Sequence, residues 1–191
     1  MEILKTEIEG VLILKPKIFG DDRGYFFESY NRKLLKELAP EIPDFVQDNQ
    51  SYSTYGVVRG LHFQRPPYAQ AKLLRVVSGR VLDVAVDLRH GSPTYGRYVS
   101  GELSGQNQLQ FFIPEGFAHG FSVLSQEVVF QYKCSDFYNR NSEGGIIWND
   151  PTLAIDWGLP LQDVVLSPKD RLHPTLKEYT EAMKQGRIDA I

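Results

Sequence analysis

Apolar and polar residues alternate along most of this chain with the two-residue period that is typical of half-buried β-strands. In residues 108–113, Leu109, Phe111 and Ile113 share one face, and residues 128–134 alternate in the same way. Further short strands are predicted in residues 3–14, 73–77, 81–88, 97–103 and 121–124, and a polar strand or loop in residues 45–53. Turns rich in Gly or Pro separate these segments at roughly eight- to twelve-residue intervals, so the pattern predicts an all-β sandwich or barrel.

Two segments have helical spacing instead. Residues 31–39 place three leucines at helical spacing after Asn31, which can cap the helix. Residues 172–183, near the C-terminus, form the second candidate, although Pro174 weakens it. The chain contains no repeat, linker or low-complexity stretch, so we expect one domain over residues 1–191 with a helical C-terminal tail.

Two turns are predicted in the middle of the chain. Ser78 and Gly79 have the composition of a tight two-residue turn between the apolar runs 73–77 and 81–88. Residues 114–120, with the sequence PEGFAHG, are expected to form a turn that leads into the next strand.

Composition limits the classes of partner and compartment. A formal net charge of −3 and the lack of a long basic run argue against a nucleic-acid partner. Cys134 is the single cysteine, which excludes an internal disulfide and fits a reducing compartment. No segment has the apolar region of a signal peptide or approaches the roughly 18–20 apolar residues that span a bilayer. We therefore expect a cytoplasmic protein with no membrane partner.

Cationic side chains and a histidine are concentrated in apolar strands of the middle of the chain, namely Arg59, His62, Lys72 and Arg75. Polar groups buried in a sheet cost free energy unless they are paired or used, so this region suggests a site for negative charge. The alternative is a sheet with one face open to water. Arg59 and His62 are an odd number of residues apart, so a regular strand would send them to opposite faces; a β-bulge at Gly60 would bring both inward.

The same region lacks the ligands of a cupin metal site. The segment PEGFAHG, which contains His119, resembles the second motif of the cupin superfamily, in which the histidine binds a metal. The first cupin motif needs two histidines one residue apart and then a glutamate, but His62 is followed two positions later by Gln64, and no glutamate lies between Gln64 and Val86. Because a metal site needs about three deprotonated protein ligands, we expect a cupin-like architecture with neither a metal nor another cofactor.

Without a metal, His62, Lys72 and Tyr132 suit proton abstraction next to a carbonyl. Cationic neighbours favour a neutral His62, which can act as a base. Lys72 can stabilise the enolate oxyanion, and the neutral phenol of Tyr132 can return a proton. Arginines such as Arg23 and Arg59 suit a phosphate or diphosphate on the substrate.

Several segments together resemble the dTDP-4-dehydrorhamnose 3,5-epimerases. They are DDRGYFFESYN, QDNQS, VVRGLHFQ, AQAKLLRVVSGRVLDVAVDLR, PEGFAHGF and GGIIWNDPTLAIDW, in the order of the family and from about residue 19 to residue 170. The resemblance implies a metal-free, cupin-like jelly roll, usually a homodimer that lends strand residues across its interface. It implies epimerisation at carbons 3 and 5 of dTDP-4-dehydro-6-deoxy-D-glucose, which gives dTDP-4-dehydro-L-rhamnose in the biosynthesis of dTDP-L-rhamnose.

The resemblance also implies roles for individual residues. His62 matches the base, Asp170 the acid that pairs with it, Tyr132 the proton donor and Lys72 the enolate stabiliser. The positions that hold the nucleotide-sugar in the family, or lie beside those that do, are Arg23, Glu28, Gln47, Asp48, Asn49, Arg59, Lys72, His119, Tyr138, Glu143 and Lys169. Asp83 alternates with Ala85, so it is expected to face inward, where it can orient a histidine.

Three alternatives remain at the level of sequence. A mono-epimerase for a related dTDP-4-keto-6-deoxy sugar would use the same base and acid. A metal-dependent cupin is disfavoured by Gln64 at a ligand position. A non-catalytic sugar-nucleotide binding protein would keep the arginines but would not need His62, Tyr132 and Asp170 together.

Overall fold

A pair of β-sheets dominates the computed structural model, which describes residues 1–189 and 191. The strands are β1 (Glu2–Lys5), β2 (Leu12–Lys15), β3 (Phe19–Asp21), β4 (Gly24–Phe26), β5 (Gln47–Thr54), β6 (Val58–Gln64), β7 (Lys72–Ser78), β8 (Arg80–Asp87), β9 (Tyr98–Ser104), β10 (Gln110–Ile113), β11 (Phe117–Val123), β12 (Glu127–Cys134) and β13 (Glu143–Gly145). The first sheet has the order β1-β2-β10-β7-β12-β5, and the second has the order β13-β6-β11-β8-β9. Strands β3 and β4 form a separate hairpin.

The main core lies between the two sheets. Phe111 and Phe130 come from the first sheet and Phe121 from the second, and all three are buried. The rings of Phe121 and Phe130 stack with their centroids 4.4 Å apart. Each buried aromatic side chain of this kind contributes roughly 1.5–3 kcal/mol. This packing fixes the separation of the sheets and therefore of the side chains that they present to each other.

The outer faces of the sheets are covered as well. Helix α1 (Arg32–Leu38) places Leu35 against the outer face of the first sheet, where it packs with Leu73 and Phe112. The C-terminal segment and helix α2 (Leu176–Lys184) cover the second sheet with Trp157 and Tyr179. Because the central strands are buried on both faces, parts of their sequences are continuous apolar runs and do not alternate between apolar and polar residues.

Both predicted helices exist, but one starts later than expected. The side chain of Asn31 accepts a hydrogen bond from the Leu34 amide and caps α1, as predicted. The prediction of a helix from residue 172 is wrong in its first turn, since α2 begins at Leu176. Pro174 precedes the helix, and Thr175 caps it in a reciprocal capping box with Glu178. Neither helix of the described residues has the length and apolar character needed to cross a membrane.

Two of the predicted turns need correction. The chain does turn sharply at Gly79, but β7 and β8 belong to different sheets and do not pair, so the turn is a corner between sheets. The turn predicted for residues 114–120 is too long, because β11 begins at Phe117 and His119 lies inside that strand. Every residue of β11 is buried, which a short run of small and aromatic residues permits in a central strand. The polar segment 45–53 forms most of strand β5.

The prediction of an all-β sandwich with short helices, including a C-terminal one, agrees with this architecture. The division into a single domain over residues 1–191 stays a prediction.

Candidate active site

A cavity of about 290 Å³ opens between the two sheets and brings together three of the residues predicted to carry chemistry. His62 enters it from β6 of the second sheet, whereas Lys72 and Tyr132 enter it from β7 and β12 of the first. The remaining wall is formed by Gln47, Asn49, Phe63, Gln64, Gln70, Cys134, Tyr138 and Glu143. His62 and Tyr132 therefore lie on opposite walls of one cavity.

His62 forms a short hydrogen bond with Asp170, 2.5 Å between Nε2 and Oδ1. The Asp170 side chain is buried, and its other oxygen accepts a hydrogen bond of 2.9 Å from the Ser167 hydroxyl. Burial raises the pKa of Asp170, but the hydrogen bonds from His62 and Ser167 outweigh it and hold that pKa below its ordinary value. An ionised Asp170 accepts a hydrogen bond from the Nε2–H group of His62. The ring proton of neutral His62 is therefore on Nε2, and its free lone pair is on Nδ1.

The predicted pairing of His62 with Asp170 is thus present in the structure. Asp170 lies in the segment between β13 and α2, 108 residues away in the chain, and no local pattern around it indicates this partner. Its role in catalysis stays a prediction.

A second histidine, His173, lies against the same pair and was not singled out from the sequence. Its ring meets the His62 ring edge-on, with the centroids 5.6 Å apart. Its Nε2 atom lies 3.7 Å from Asp170 Oδ1 and, among the described residues, has no hydrogen-bond partner although it is buried. The ring covers Gly145, where an added Cβ would lie 2.6 Å from it, so only glycine leaves room for it. Burial and the neighbouring His62 lower the pKa of His173, which favours the neutral ring.

His173 could have been noticed only from its spacing, since it follows Asp170 by three residues. That spacing means little in a segment without helical periodicity.

Lys72 and Tyr132 occupy a partly buried environment that sets their protonation. Burial lowers the pKa of Lys72, and the negative charges of Cys134, Asp83 and Glu143, where these groups are ionised, oppose that effect. Burial raises the pKa of Tyr132, while the Arg59 charge opposes the rise. Tyr132 therefore keeps its proton at neutral pH and can donate it.

Asp83 orients a histidine, as expected, and that histidine is His119. Both side chains are buried, and His119 Nε2 lies 3.0 and 3.1 Å from the two carboxylate oxygens. Burial raises the pKa of Asp83 and lowers the pKa of His119. His119 pairs in register with His62 on the neighbouring strand, so the two histidines are cross-strand neighbours.

The β-bulge that Gly60 permits is present in β6. The strand has three steps between Arg59 and His62 where β11 has two between Phe121 and His119. Gly60 lies in the bulge with φ +128°, and a Cβ there would be 2.6 Å from the Cα of Gly120. The Arg59 Nε donates to the inward-facing Ser53 hydroxyl at 3.1 Å. Arg59 and His62 therefore both reach toward the facing sheet.

Of the remaining residues predicted to bind substrate, some lie at the cavity, such as Tyr138 and Glu143, and others lie on the outer surface, such as Arg23 and Glu28. Tyr138 donates to Glu143 at 3.2 Å, and Glu143 also forms an ion pair with Lys169 at the cavity edge. Arg23 and Glu28 lie outside the cavity near the exposed β3–β4 hairpin, where Arg23 pairs with Asp21.

Asp48 also lies outside this cavity. Strand alternation turns its side chain to the opposite face of β5 from Gln47 and Asn49, and Lys133 donates to it at 2.8 Å. The binding roles of all these residues stay predictions.

Comparison with known proteins decides the family. The sequence model described as dTDP-4-dehydrorhamnose 3,5-epimerase matches residues 5–178. The chain belongs to the dTDP-4-dehydrorhamnose 3,5-epimerase family. A curated member from Shigella flexneri is 54% identical over 170 residues, which cover 89% of this chain and 93% of the relative.

Solved structures agree with this family. The dTDP-4-dehydrorhamnose 3,5-epimerase from Elizabethkingia anophelis superposes with a TM-score of 0.89 at 52% identity, covering 93% of this chain and 97% of the other. A family structure from Legionella pneumophila, solved in complex with dTDP-4-keto-L-rhamnose, superposes with a TM-score of 0.88 at 52% identity, covering 92% and 93%. The resemblance stated from the sequence, the jelly-roll fold and the class of isomerase are confirmed.

Proposed function

We propose that this chain epimerises dTDP-4-dehydro-6-deoxy-D-glucose at carbons 3 and 5, giving dTDP-4-dehydro-L-rhamnose for the biosynthesis of dTDP-L-rhamnose. The observation that carries the proposal is the placement of the His62–Asp170 pair and Tyr132 on opposite walls of one cavity. The curated relatives carry the name of this reaction, which supports the choice of substrate.

The first step is proton abstraction by His62. Its Nδ1 lone pair takes the hydrogen from the carbon next to the ketone, and the electrons of that bond move onto the ketone oxygen as an enolate. Asp170 stabilises the imidazolium that forms and keeps the ring oriented, as in other His–Asp pairs. Lys72 supplies positive charge within the cavity for the enolate oxygen.

The second step is proton return by Tyr132. Inversion of a carbon requires that the proton arrive on the face opposite to the one from which it left. His62 and Tyr132 project from facing sheets into one cavity, which supports abstraction and return of the proton on opposite faces of a bound sugar. Carbons 3 and 5 both flank the ketone at carbon 4, so the same pair serves both centres after the ring is repositioned.

The nucleotide part of the substrate needs cations and hydrogen-bond donors beyond the sugar cavity. Two cations, Arg59 and Lys169, lie beside the cavity and suit a diphosphate. Two amides, Gln47 and Asn49, line the cavity and suit the nucleoside. Arg23 and Glu28 lie on the exposed surface of their own chain, so they do not contact a nucleotide bound in the cavity of that chain.

We assign Arg23 and Glu28 to a homodimer in which the β3–β4 hairpin reaches the partner's site. Tyr25 and Phe26 on this hairpin are 61% and 67% exposed, and large exposed aromatic side chains are typical of interaction surfaces.

Proton exchange with solvent tests the proposal. In heavy water the chain is expected to incorporate deuterium at both carbons, whereas incorporation at one carbon would identify a mono-epimerase. His62→Asn should slow exchange by at least about 100-fold, because the base is lost. Tyr132→Phe is the matched variant: it should retain exchange by His62 but yield sugar of unchanged configuration. Near-normal exchange in His62→Asn would contradict the assignment.

A further inference from the structure

His62, Asp170 and His173 form a group of donors with the dimensions of a metal site. One possible ligand atom from each residue lies within 4.8 Å of the other two. The two measured pairs are 2.5 Å and 3.7 Å. Ligands of a tetrahedral Zn²⁺ lie roughly 3.3 Å apart, given metal–ligand distances of about 2.0–2.1 Å. The two separations lie on either side of that value, so the Asp170 carboxylate would have to move away from His62 and toward His173 to hold a metal with both.

The donor set also suits zinc chemically. Two imidazoles and one carboxylate, with a fourth position left to water, are a common ligand set for Zn²⁺. His173 Nε2 is the strongest indication, since it is buried and has no hydrogen-bond partner among the described residues. An unpaired buried polar atom is costly, and a metal bond would satisfy it.

A cavity adjoins the group, and the local charge favours a cation. His173 borders this second cavity of about 420 Å³, which is lined also by Glu143, Gly145 and Lys169. Asp170 supplies a negative charge at the site itself. Three cations line the same cavity, Arg65, Arg140 and Lys169, and Lys169 is neutralised by its ion pair with Glu143.

We propose that the chain binds one Zn²⁺ through His62 Nε2, Asp170 Oδ1 and His173 Nε2, and that the bound ion switches off the base; the second half rests on the proposed function. Zn²⁺ takes the electron pair of His62 Nε2, which is available only when the ring proton sits on Nδ1. The proton that Nε2 donates to Asp170 in the free protein must therefore move to Nδ1. The Nδ1 lone pair that would accept the substrate proton is then occupied.

This mechanism separates inhibition from substrate binding. The ion lies behind the imidazole, between it and the C-terminal segment, and leaves the sugar cavity between the sheets open. Zn²⁺ should lower kcat in proportion to its occupancy and leave KM nearly unchanged. A metal that bound in the cavity itself would raise KM instead.

Equilibrium dialysis of the full, metal-depleted chain against Zn²⁺ tests the site directly. The wild-type chain is expected to bind one tight equivalent. His173→Phe keeps a flat ring over Gly145 but removes the nitrogen, and it should weaken binding at least about tenfold. His90→Phe is the matched control at an exposed histidine and should bind as wild type does. If His173→Phe does not fold, His173→Ala serves the same purpose.

The switch is tested by two further measurements. Zn²⁺ should inhibit the wild-type exchange reaction and a chelator should restore it, while His173→Phe should resist inhibition relative to its own metal-free rate. Nitrogen NMR should show His62 Nδ1 changing from unprotonated to protonated as Zn²⁺ is added.

The proposed zinc site would be refuted if wild type and His173→Phe bound Zn²⁺ with equal affinity. It would also be refuted if the wild-type chain bound no tight equivalent of Zn²⁺. An unprotonated Nδ1 in the Zn²⁺-bound chain would overturn the switch. Dialysis needs no sugar, so failure of the zinc site and failure of the proposed function are read separately.

Discussion

Replacing Asp170 by asparagine tests how much of the proposed catalysis depends on a carboxylate behind His62. The side chain is almost the same size and keeps an oxygen that can accept from His62 Nε2, but it carries no charge. Ser167 can rotate its hydroxyl to accept from the new amide, so the buried site should stay folded. The variant therefore removes mainly the ionic stabilisation of the imidazolium.

The size of the effect follows from the contacts. A hydrogen bond to a charged group is worth about 1.5–3 kcal/mol, which converts to a roughly 10- to 150-fold loss of kcat. If the amide instead turns its NH₂ toward His62, the ring must adopt the other tautomer, and the loss approaches about 10⁴-fold, as in protease triads. Ser167→Ala removes the hydrogen bond that the Ser167 hydroxyl donates to the ionised Asp170. Because the carboxylate and its charge remain, the loss of kcat should be smaller than in Asp170→Asn, roughly two- to tenfold.

Initial rates of epimerisation at saturating and limiting substrate separate kcat from KM for both variants. Because Asp170 acts through His62, the loss should appear in kcat with KM within about twofold of wild type. An Asp170→Asn enzyme with kcat within about threefold of wild type would refute the reasoning, since the carboxylate would then not stabilise the imidazolium. A loss confined to KM would place Asp170 in substrate binding.

Two other predictions concern stability and assembly. Burial raises the pKa of Asp87, but hydrogen bonds from Arg89, Ser92 and Thr94 lower it to about 2. At neutral pH the ionised carboxylate therefore stabilises the fold by about 2 kcal/mol. This stabilisation is lost as the pH falls from about 4 to about 2. Asp87→Asn should lower Tm by roughly 4–8 °C at pH 7 in thermal unfolding and by less near pH 2; a difference that does not shrink with acid would contradict this. Sedimentation should give twice the chain mass of 21.8 kDa. Phe26→Asp on the exposed hairpin should weaken that dimer, whereas Leu161→Asp, at a residue that is 77% exposed, should not.

The sequence predicted those parts of the fold that depend on local pattern. The alternation of β10 and β12, the cap of α1 at Asn31 and the bulge at Gly60 all follow from neighbouring residues, and the structure contains each of them. The local sequence around Gly79 could not show that β7 and β8 belong to different sheets. Which sheet each strand joins depends on the distant strands that pair with it.

The site shows the same division. The period-two pattern of β12 placed Tyr132 on an inward face, whereas Asp170 could be placed only through family resemblance, because it comes from an irregular segment 108 residues beyond His62. His173 was missed because its contact with His62 depends on the space above Gly145, and no spacing rule reports such a space. Asp48 was grouped with its neighbours by motif, although the strand period turns it outward.

The carboxylate partner of the proposed base belongs to the C-terminal segment that is laid over the second sheet, not to the sheet itself. This segment is joined to the body of the fold by side-chain packing and a few backbone contacts, such as the bridge between Val57 and Val165. Local unfolding of this segment would expose the buried Trp157 and Tyr179 and break the His62–Asp170 hydrogen bond at the same time. Turnover therefore depends on the packing of the C-terminal segment as well as on the sheets that carry His62, Lys72 and Tyr132.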